Sequence, residues 1–196
     1  MPRQLFVFGG YFCKCATVSN FHCLFFRKTR KNAFGQASFG GSSSTAIGAI
    51  WISGIGEPSR YDVAEFLLHE LTHHLLFVSE RCTAQFNYRE MVKETNFAQS
   101  AILHRRRPLD KVVHSIVVST EILLARDSFL PPQNIRVHPE SSQLRRQTQV
   151  AIESVFQLTN LEQIVTPWTI QLLNDCRRAV SDLGAREGQS KMALGG

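Results

Sequence analysis

The stretch FLLHELTHH at residues 66–74 decides the fold of this chain, because it joins a helical pattern to a chemical motif. Its letters contain H-E-x-x-H, and on a helix this spacing places His69 and His73 on one face with Glu70 beside them. Two imidazoles so placed can bind one divalent metal, and the carboxylate can orient or deprotonate a water. Chance gives roughly one such match in seventy shuffled chains of this composition, so the motif favours a metal site over core histidines.

The residues around the motif predict a long amphipathic helix. Apolar side chains recur at helical spacing between Val63 and Leu76. Ser59, followed by Asp62 three residues later, is a variant of an N-terminal cap with an acidic first turn.

A strand is predicted just before this helix. The run AIGAIWIS at residues 46–53 is β-branched and aromatic, and it is closed by a glycine- and proline-containing turn at residues 54–58. Two interpretations are open. An edge strand would pair with an extended peptide substrate, whereas an internal strand would only support the helix.

The rest of the chain predicts further helices at about 88–94, 108–126, 142–158 and 167–183, with Pro167 at the start of the last helix and Gly184 as its stop. The predicted fold class is therefore α+β, mostly helical, with a small β-sheet packed beside the H-E-x-x-H helix in a zincin-like local arrangement.

The composition changes along the chain and suggests three parts. Residues 1–45, rich in Phe, Cys, Ser and Gly, are predicted to be a weakly ordered or divergent N-terminal segment with one strand near residues 5–8. Residues 46–186 form the predicted metal-binding catalytic domain, and residues 187–196 a flexible tail.

Charge and cysteine content limit the classes of function and location. The net charge of +6 comes from dispersed basic patches, which indicate a solvated basic surface or acidic partners, with no nucleic-acid motif. No apolar run reaches the length of about 20 residues that a membrane span needs. Five scattered cysteines make a poor disulfide framework and suit free thiols in the cytoplasm.

A third protein ligand is needed to complete a metal site built on two histidines. His114 and Glu121 lie seven residues apart on one face of the second predicted helix, and Glu94 is nearer in sequence to the motif. The extended signature H-E-x-x-H-x-x-G-x-x-H fails, because Leu76 and Ser79 occupy its glycine and third histidine positions. A metzincin is thus excluded, whereas a gluzincin with a glutamate ligand stays open.

The order of these motifs resembles a known enzyme family. The chain looks like the H-E-x-x-H-type 2-oxoglutarate-dependent peptide β-hydroxylases, which modify ribosomally made precursor peptides. The resemblance lies in the order of the strand at 49–53, the motif helix, the segment SAILHRRRPL at 100–109 and a helical histidine at 114. The resemblance covers about residues 46–127. It implies Fe(II) bound by His69, His73 and His114, with the distal carboxylate of 2-oxoglutarate held by Arg107 or its neighbour Arg106.

Three functional interpretations follow. The leading one is an Fe(II)/2-oxoglutarate oxygenase that hydroxylates a peptide side chain, with Glu70 orienting a water or a ligand. The alternative is a zinc metallopeptidase in which Glu70 is the general base on a metal-bound water and the third ligand is Glu121, Glu94 or His114. The third is a catalytically inactive binding module that keeps the helices as a scaffold.

Overall fold

The motif-bearing helix packs between a small sheet and a group of helices. The computed structural model describes residues 22–26, 40–53, 58–130 and 136–194. The elements in these ranges are β1 (His22–Phe26), β2 (Gly40–Gly41), β3 (Ala49–Ser53), α1 (Arg60–Cys82), α2 (Tyr88–Met91), β4 (Ala98–Gln99), β5 (Arg106–Arg107), α3 (Leu109–Ser128), α4 (Ser141–Phe156), α5 (Leu161–Ile164) and α6 (Pro167–Leu194). The predicted class, mostly helical α+β with a small sheet beside the motif helix, is confirmed.

The start of α1 follows the predicted cap. The Ser59 hydroxyl accepts a hydrogen bond from the backbone N–H of Asp62 at 3.0 Å, and the Asp62 carboxylate accepts one from the backbone N–H of Ser59 at 2.9 Å. This reciprocal capping box satisfies two N–H groups that the first helical turn leaves without partners. The predicted N-terminus of the motif helix is therefore confirmed.

Strand β3 is central in its sheet. It pairs in parallel with β1 and antiparallel with β2, so both of its edges are occupied. The interpretation of β3 as a free edge for a peptide substrate is therefore wrong, and the internal interpretation is confirmed. The sheet also crosses the predicted boundary at residue 45, because β1 and β2 precede it. The strand predicted near residues 5–8 lies outside the described residues.

Helix α3 is the centre of the helical core. Its apolar residues are buried on all sides, as expected for a helix enclosed by α1, α4 and α6. Helix α6 continues through Gly184 to Leu194, so the predicted stop at Gly184 is wrong, and α6 includes most of the predicted tail. A glycine ends a helix only where the chain leaves the helical conformation, and here it does not. Among the described residues, no helix is long and apolar enough to cross a membrane.

A buried ion pair joins α1 to the end of α3. The Arg126 guanidinium donates to both carboxylate oxygens of Glu65, at 2.6 and 2.7 Å, and the Glu65 side chain is fully buried. Burial alone would raise the pKa of Glu65, but the hydrogen bonds from His138 and Arg126 outweigh burial and lower it. Glu65 is therefore an ionised acceptor at neutral pH.

We expect Glu65→Gln to lower the free energy of unfolding by about 3–5 kcal/mol, because it leaves the buried Arg126 charge without its anionic partner. Urea denaturation at pH 7 measures this change. Glu90→Gln, which removes the exposed partner of Lys93, is the matched control and should change stability by at most about 0.5 kcal/mol. A loss below about 1 kcal/mol in Glu65→Gln would contradict the role of Glu65 as the ionised partner of Arg126.

The same pair predicts a pH dependence. The pKa of Glu65 is lower in the folded chain than in the unfolded chain, so its ionised form stabilises the fold above the ordinary carboxyl pKa of about 4.3. That stabilisation is lost as the pH falls through the folded pKa. The difference in unfolding free energy between wild type and Glu65→Gln should therefore shrink as the pH is lowered below about 4. A difference that stays constant with pH in urea titrations would contradict an ionised Glu65 in the folded chain.

Candidate metal centre

His69 and His73 lie one turn apart on α1 and direct the same ring nitrogen toward each other. Their Nε2 atoms are 3.1 Å apart. Two nitrogens that bind one zinc ion at about 2.0–2.1 Å with a near-tetrahedral angle lie roughly 3.3 Å apart. The pair therefore has the spacing of two ligands to one metal, although a ring-to-ring hydrogen bond would have a similar length.

The other nitrogen of His69 contacts a histidine from outside the motif. Nδ1 of His69 is 2.8 Å from Nε2 of His138, and Nδ1 of His138 is 2.9 Å from Oε1 of Glu65. The segment that carries His138 lies between α3 and α4. This contact thus links the motif to a residue 69 positions later in the chain.

His73 has a matching partner on its other side. Its Nδ1 atom is 3.1 Å from Nδ1 of His114 on α3, and Nε2 of His114 is 3.1 Å from Oε1 of Glu80 near the end of α1. Each motif histidine therefore contacts a second histidine, which in turn contacts a carboxylate. We call this series the histidine network: Glu65, His138, His69, His73, His114 and Glu80.

A count of protons tests whether neutral rings and hydrogen bonds alone can account for the histidine network. The network contains five contacts, and each needs one hydrogen atom if all are hydrogen bonds. Four neutral imidazoles supply one N–H each, and ionised carboxylates supply none. One contact therefore lacks a proton. A metal held by Nε2 of His69 and Nε2 of His73 would remove the deficit, because both lone pairs would be shared with it and four N–H groups would remain for the other four contacts.

The alternative, a fifth proton, is opposed at the motif histidines. Burial lowers the pKa of His69 to about 3, with a further contribution from the neighbouring His138. Burial, followed by the charges of neighbouring histidines, places the pKa of His73 well below its ordinary value. Both rings are therefore neutral at pH 7, which is the form that binds a metal.

Glu70 lies beside the pair. Its Oε1 atom is 4.0 Å from Nε2 of His69, and its Oε2 atom accepts a 2.5 Å hydrogen bond from the Ser42 hydroxyl. Burial raises the pKa of Glu70 to about 7, while the Ser42 hydrogen bond lowers it. A bound cation would lower this pKa further. Glu70 can thus accept or hold a proton at the edge of the candidate metal position.

A cavity of about 360 Å³ opens at this point. It is lined by polar and charged side chains from α1, from the loop after β2 and from α3, together with a few apolar ones: Ser42, His69, Glu70, His73, Phe77, Ile102, Leu103, Arg107, Lys111 and His114 are among them. The volume is sufficient for a small dicarboxylic acid together with a substrate side chain.

The two candidate arginines point in different directions. Arg107 lines the cavity, and burial followed by the charge of Arg105 lowers its pKa. Arg106 is exposed, and its guanidinium donates to the carbonyl of Phe97 at 2.7 and 3.2 Å. Successive residues of a strand face opposite sides, which explains why only one of them reaches the cavity. Arg107 is therefore the arginine that the fold brings to the histidines.

The predicted third ligands also differ in position. His114 reaches the motif, but it faces Nδ1 of His73, whereas the candidate metal position lies on the Nε2 side. Glu121, on α3, is buried near Cys176 of α6, and Glu94 lies in a short 3₁₀ turn at Glu94–Asn96. Neither glutamate lines the cavity. In the described ranges no group of three or more His, Cys, Asp or Glu side chains could hold a metal ion. His114 as third ligand stays a prediction.

The sequence analysis missed several residues of the site, among them Glu80, Ser42 and His138. Glu80 carried a signal, because it lies seven residues after His73 and therefore on the same face of α1. Ser42 follows the strand β2, where a Cβ atom on Gly40 would lie 2.2 Å from the Trp51 carbonyl oxygen, so the glycine allows this close approach. Neither Ser42 nor His138 has a local pattern that indicates contact with the motif.

The second histidine of the pair 73–74 is structural. Nδ1 of His74 accepts from the backbone N–H of Gly48 at 3.3 Å, so its Nε2 donates to the carbonyl of Ala49 at 3.2 Å. Gly48 has a φ of 93°, which is unfavourable for other residues. His74 therefore fastens the turn before β3 to α1.

No protein-family model matches the chain, and no curated protein matches it significantly. The assignment of the site therefore depends on its geometry and chemistry.

Substitution of either motif histidine should abolish metal binding. We expect His69→Ala and His73→Ala to weaken Zn(II) or Co(II) affinity by at least about 100-fold, because each removes one of two converging ligands. Competition with a chromophoric chelator measures the affinity. His104→Asn, at an exposed histidine with a φ of 51° that asparagine tolerates, is the matched control. Unchanged affinity in both alanine variants would exclude the centre.

Proposed function

We propose that this chain is a metal-dependent enzyme of the Fe(II)/2-oxoglutarate oxygenase class that hydroxylates a side chain of a peptide. The observation that carries the proposal is the presence of two converging imidazoles and a partly buried arginine in one cavity. A cytoplasmic location and a precursor peptide as substrate are parts of the same proposal.

The ligand chemistry suits this class. His69 and His73 offer two neutral nitrogens and leave other coordination positions open, as a non-haem iron site requires. When bound, Fe(II) supplies the oxidising chemistry of the reaction, in which dioxygen is consumed and the 2-oxo acid is decarboxylated. The protein residues bind and orient the reactants and limit the access of water.

Arg107 is the proposed anchor for the distal carboxylate of 2-oxoglutarate. A guanidinium can form two parallel hydrogen bonds to a carboxylate, and partial burial strengthens them. Lys111 also lines the cavity. Lys111 is paired with Asp110 at 2.9 Å, so a divalent metal with these two cations would exceed the negative charges of Glu70 and Asp110 by two units, which a dianionic cosubstrate would balance.

A zinc peptidase is the second candidate, and Glu70 is the observation that favours it. Its carboxylate lies 4.0 Å from Nε2 of His69, and a nearby zinc ion would lower its pKa and keep it ionised as a general base. In this alternative the Ser42 hydroxyl would hold Glu70 in place, and the cavity would accept a peptide bond. The alternative gives no role to Arg107.

Anaerobic reconstitution with Fe(II) and 2-oxoglutarate tests the leading proposal. We expect a visible charge-transfer band from the chelated 2-oxo acid in the wild type. Arg107→Ala should raise the dissociation constant for 2-oxoglutarate by roughly 10- to 100-fold, since a hydrogen bond to a charged group contributes about 1.5–3 kcal/mol. Arg106→Ala, whose guanidinium bonds Phe97 instead, is the matched control and should leave the constant unchanged.

Other outcomes select the other interpretations. No charge-transfer band, together with zinc-dependent peptide cleavage that Glu70→Gln abolishes while zinc stays bound, would establish the peptidase. Absence of stoichiometric metal in the wild type after gentle purification would indicate the inactive binding module. An equal effect of Arg106→Ala and Arg107→Ala would remove the proposed anchor.

A further inference from the structure

His138 lies outside the motif, yet its nitrogen-to-nitrogen contact with His69 is the shortest between two rings of the histidine network. The two nitrogens are 2.8 Å apart, and the rings are stacked with an interplanar angle of 19°. His138 is 8% exposed, so water has little access to this contact.

The buried Glu65–Arg126 ion pair holds His138 on the Nδ1 side of its ring. Arg126 holds both oxygens of Glu65, and one of them, Oε1, also faces Nδ1 of His138. The same guanidinium donates through Nη1 to the carbonyl of Pro139, the residue after His138, at 2.7 Å. One arginine therefore fixes both the carboxylate that the ring contacts and the backbone that carries the ring.

This arrangement determines which nitrogen of each ring carries the hydrogen atom. An ionised Glu65 only accepts, so Nδ1 of His138 donates to it, and a neutral His138 then accepts at Nε2. Nδ1 of His69 must then donate to His138, and Nε2 of His69 is left with a free lone pair. The charge of Arg126 thus sets the tautomer of His69 through two intervening side chains.

We propose that His138, held by the Glu65–Arg126 ion pair, is a positioning residue that keeps His69 in the tautomer and orientation in which Nε2 is presented to a metal. The inference rests on the proposed function only in taking His69 as a ligand. Such outer hydrogen bonds to ligating histidines orient the ring and raise its basicity.

The test compares two substitutions of His138 in the full chain. His138→Leu removes the acceptor, and we expect Co(II) affinity to fall by about 10- to 100-fold. His138→Gln places an amide oxygen near the position of Nε2, so it should restore affinity to within a few fold of the wild type. The visible Co(II) spectrum should keep the same band positions and intensity in both variants, because the ligands are unchanged. His104→Asn is the control for loss of a histidine.

Two results would overturn the inference. Equal affinity in wild type and His138→Leu would show that the contact does not matter for the metal. A Co(II) spectrum altered in both variants, with no rescue by glutamine, would show that His138 is itself a ligand.

A metal-free measurement separates this inference from the proposed function. Long-range ¹⁵N–¹H NMR of the histidine rings should show the hydrogen of His69 on Nδ1 in the wild type and in His138→Gln, but not exclusively there in His138→Leu. If the wild type bound no metal and this pattern held, the proposed function alone would fail. A His69 hydrogen on Nε2 in the wild type would overturn the inference, whatever metal is bound.

Discussion

The buried contact between Glu65 and Arg126 is the interaction on which the site depends. It ties the first third of α1 to the end of α3 and to the segment before α4, which are far apart in sequence. Taking two charges out of water costs several kcal/mol per ion, so such a pair adds little net stability even with good geometry. Its physical effect is to exclude other arrangements of α1 and α3, because any shift leaves a buried charge without a partner.

The sequence predicted the parts of the fold that depend on short-range patterns. The cap at Ser59, the long motif helix and the helix after Pro108 follow from periodicity and capping chemistry, which act within a few residues. The end of α6 was misplaced, because a glycine is a permissive residue and packing decides whether a helix stops there. The pairing of β1 with β3 could not be predicted, since partners distant in sequence leave no local signal.

The residues of the candidate site also divide into those that follow a local sequence pattern and those that do not. His69, Glu70 and His73 were predicted because their spacing matches a helical face. Arg107 was one of three arginines in a basic cluster, and the family resemblance implied that it or a neighbour holds the cosubstrate. Ser42 and His138 reach the motif only through tertiary structure, one from a glycine–serine run that looked unstructured and the other from the segment between α3 and α4. Residues that contact the motif only through tertiary structure are therefore harder to predict than the motif itself, because their constraint is a single contact and not a pattern.

At the centre of the histidine network, the surrounding fold holds two ring nitrogens of the same kind against each other, which is a local conflict. If all four rings are neutral, the carboxylates at the two ends direct the N–H groups outward, and the two Nε2 atoms, 3.1 Å apart, face each other as lone pairs. Two facing lone pairs repel, and a chain under selection for stability alone would remove one of the rings. Conflicts of this kind are expected where function requires them and packing elsewhere compensates. A divalent cation held by both nitrogens would remove the conflict without any shift of α1, and the carboxylates at the ends of the network would then strengthen both rings as ligands.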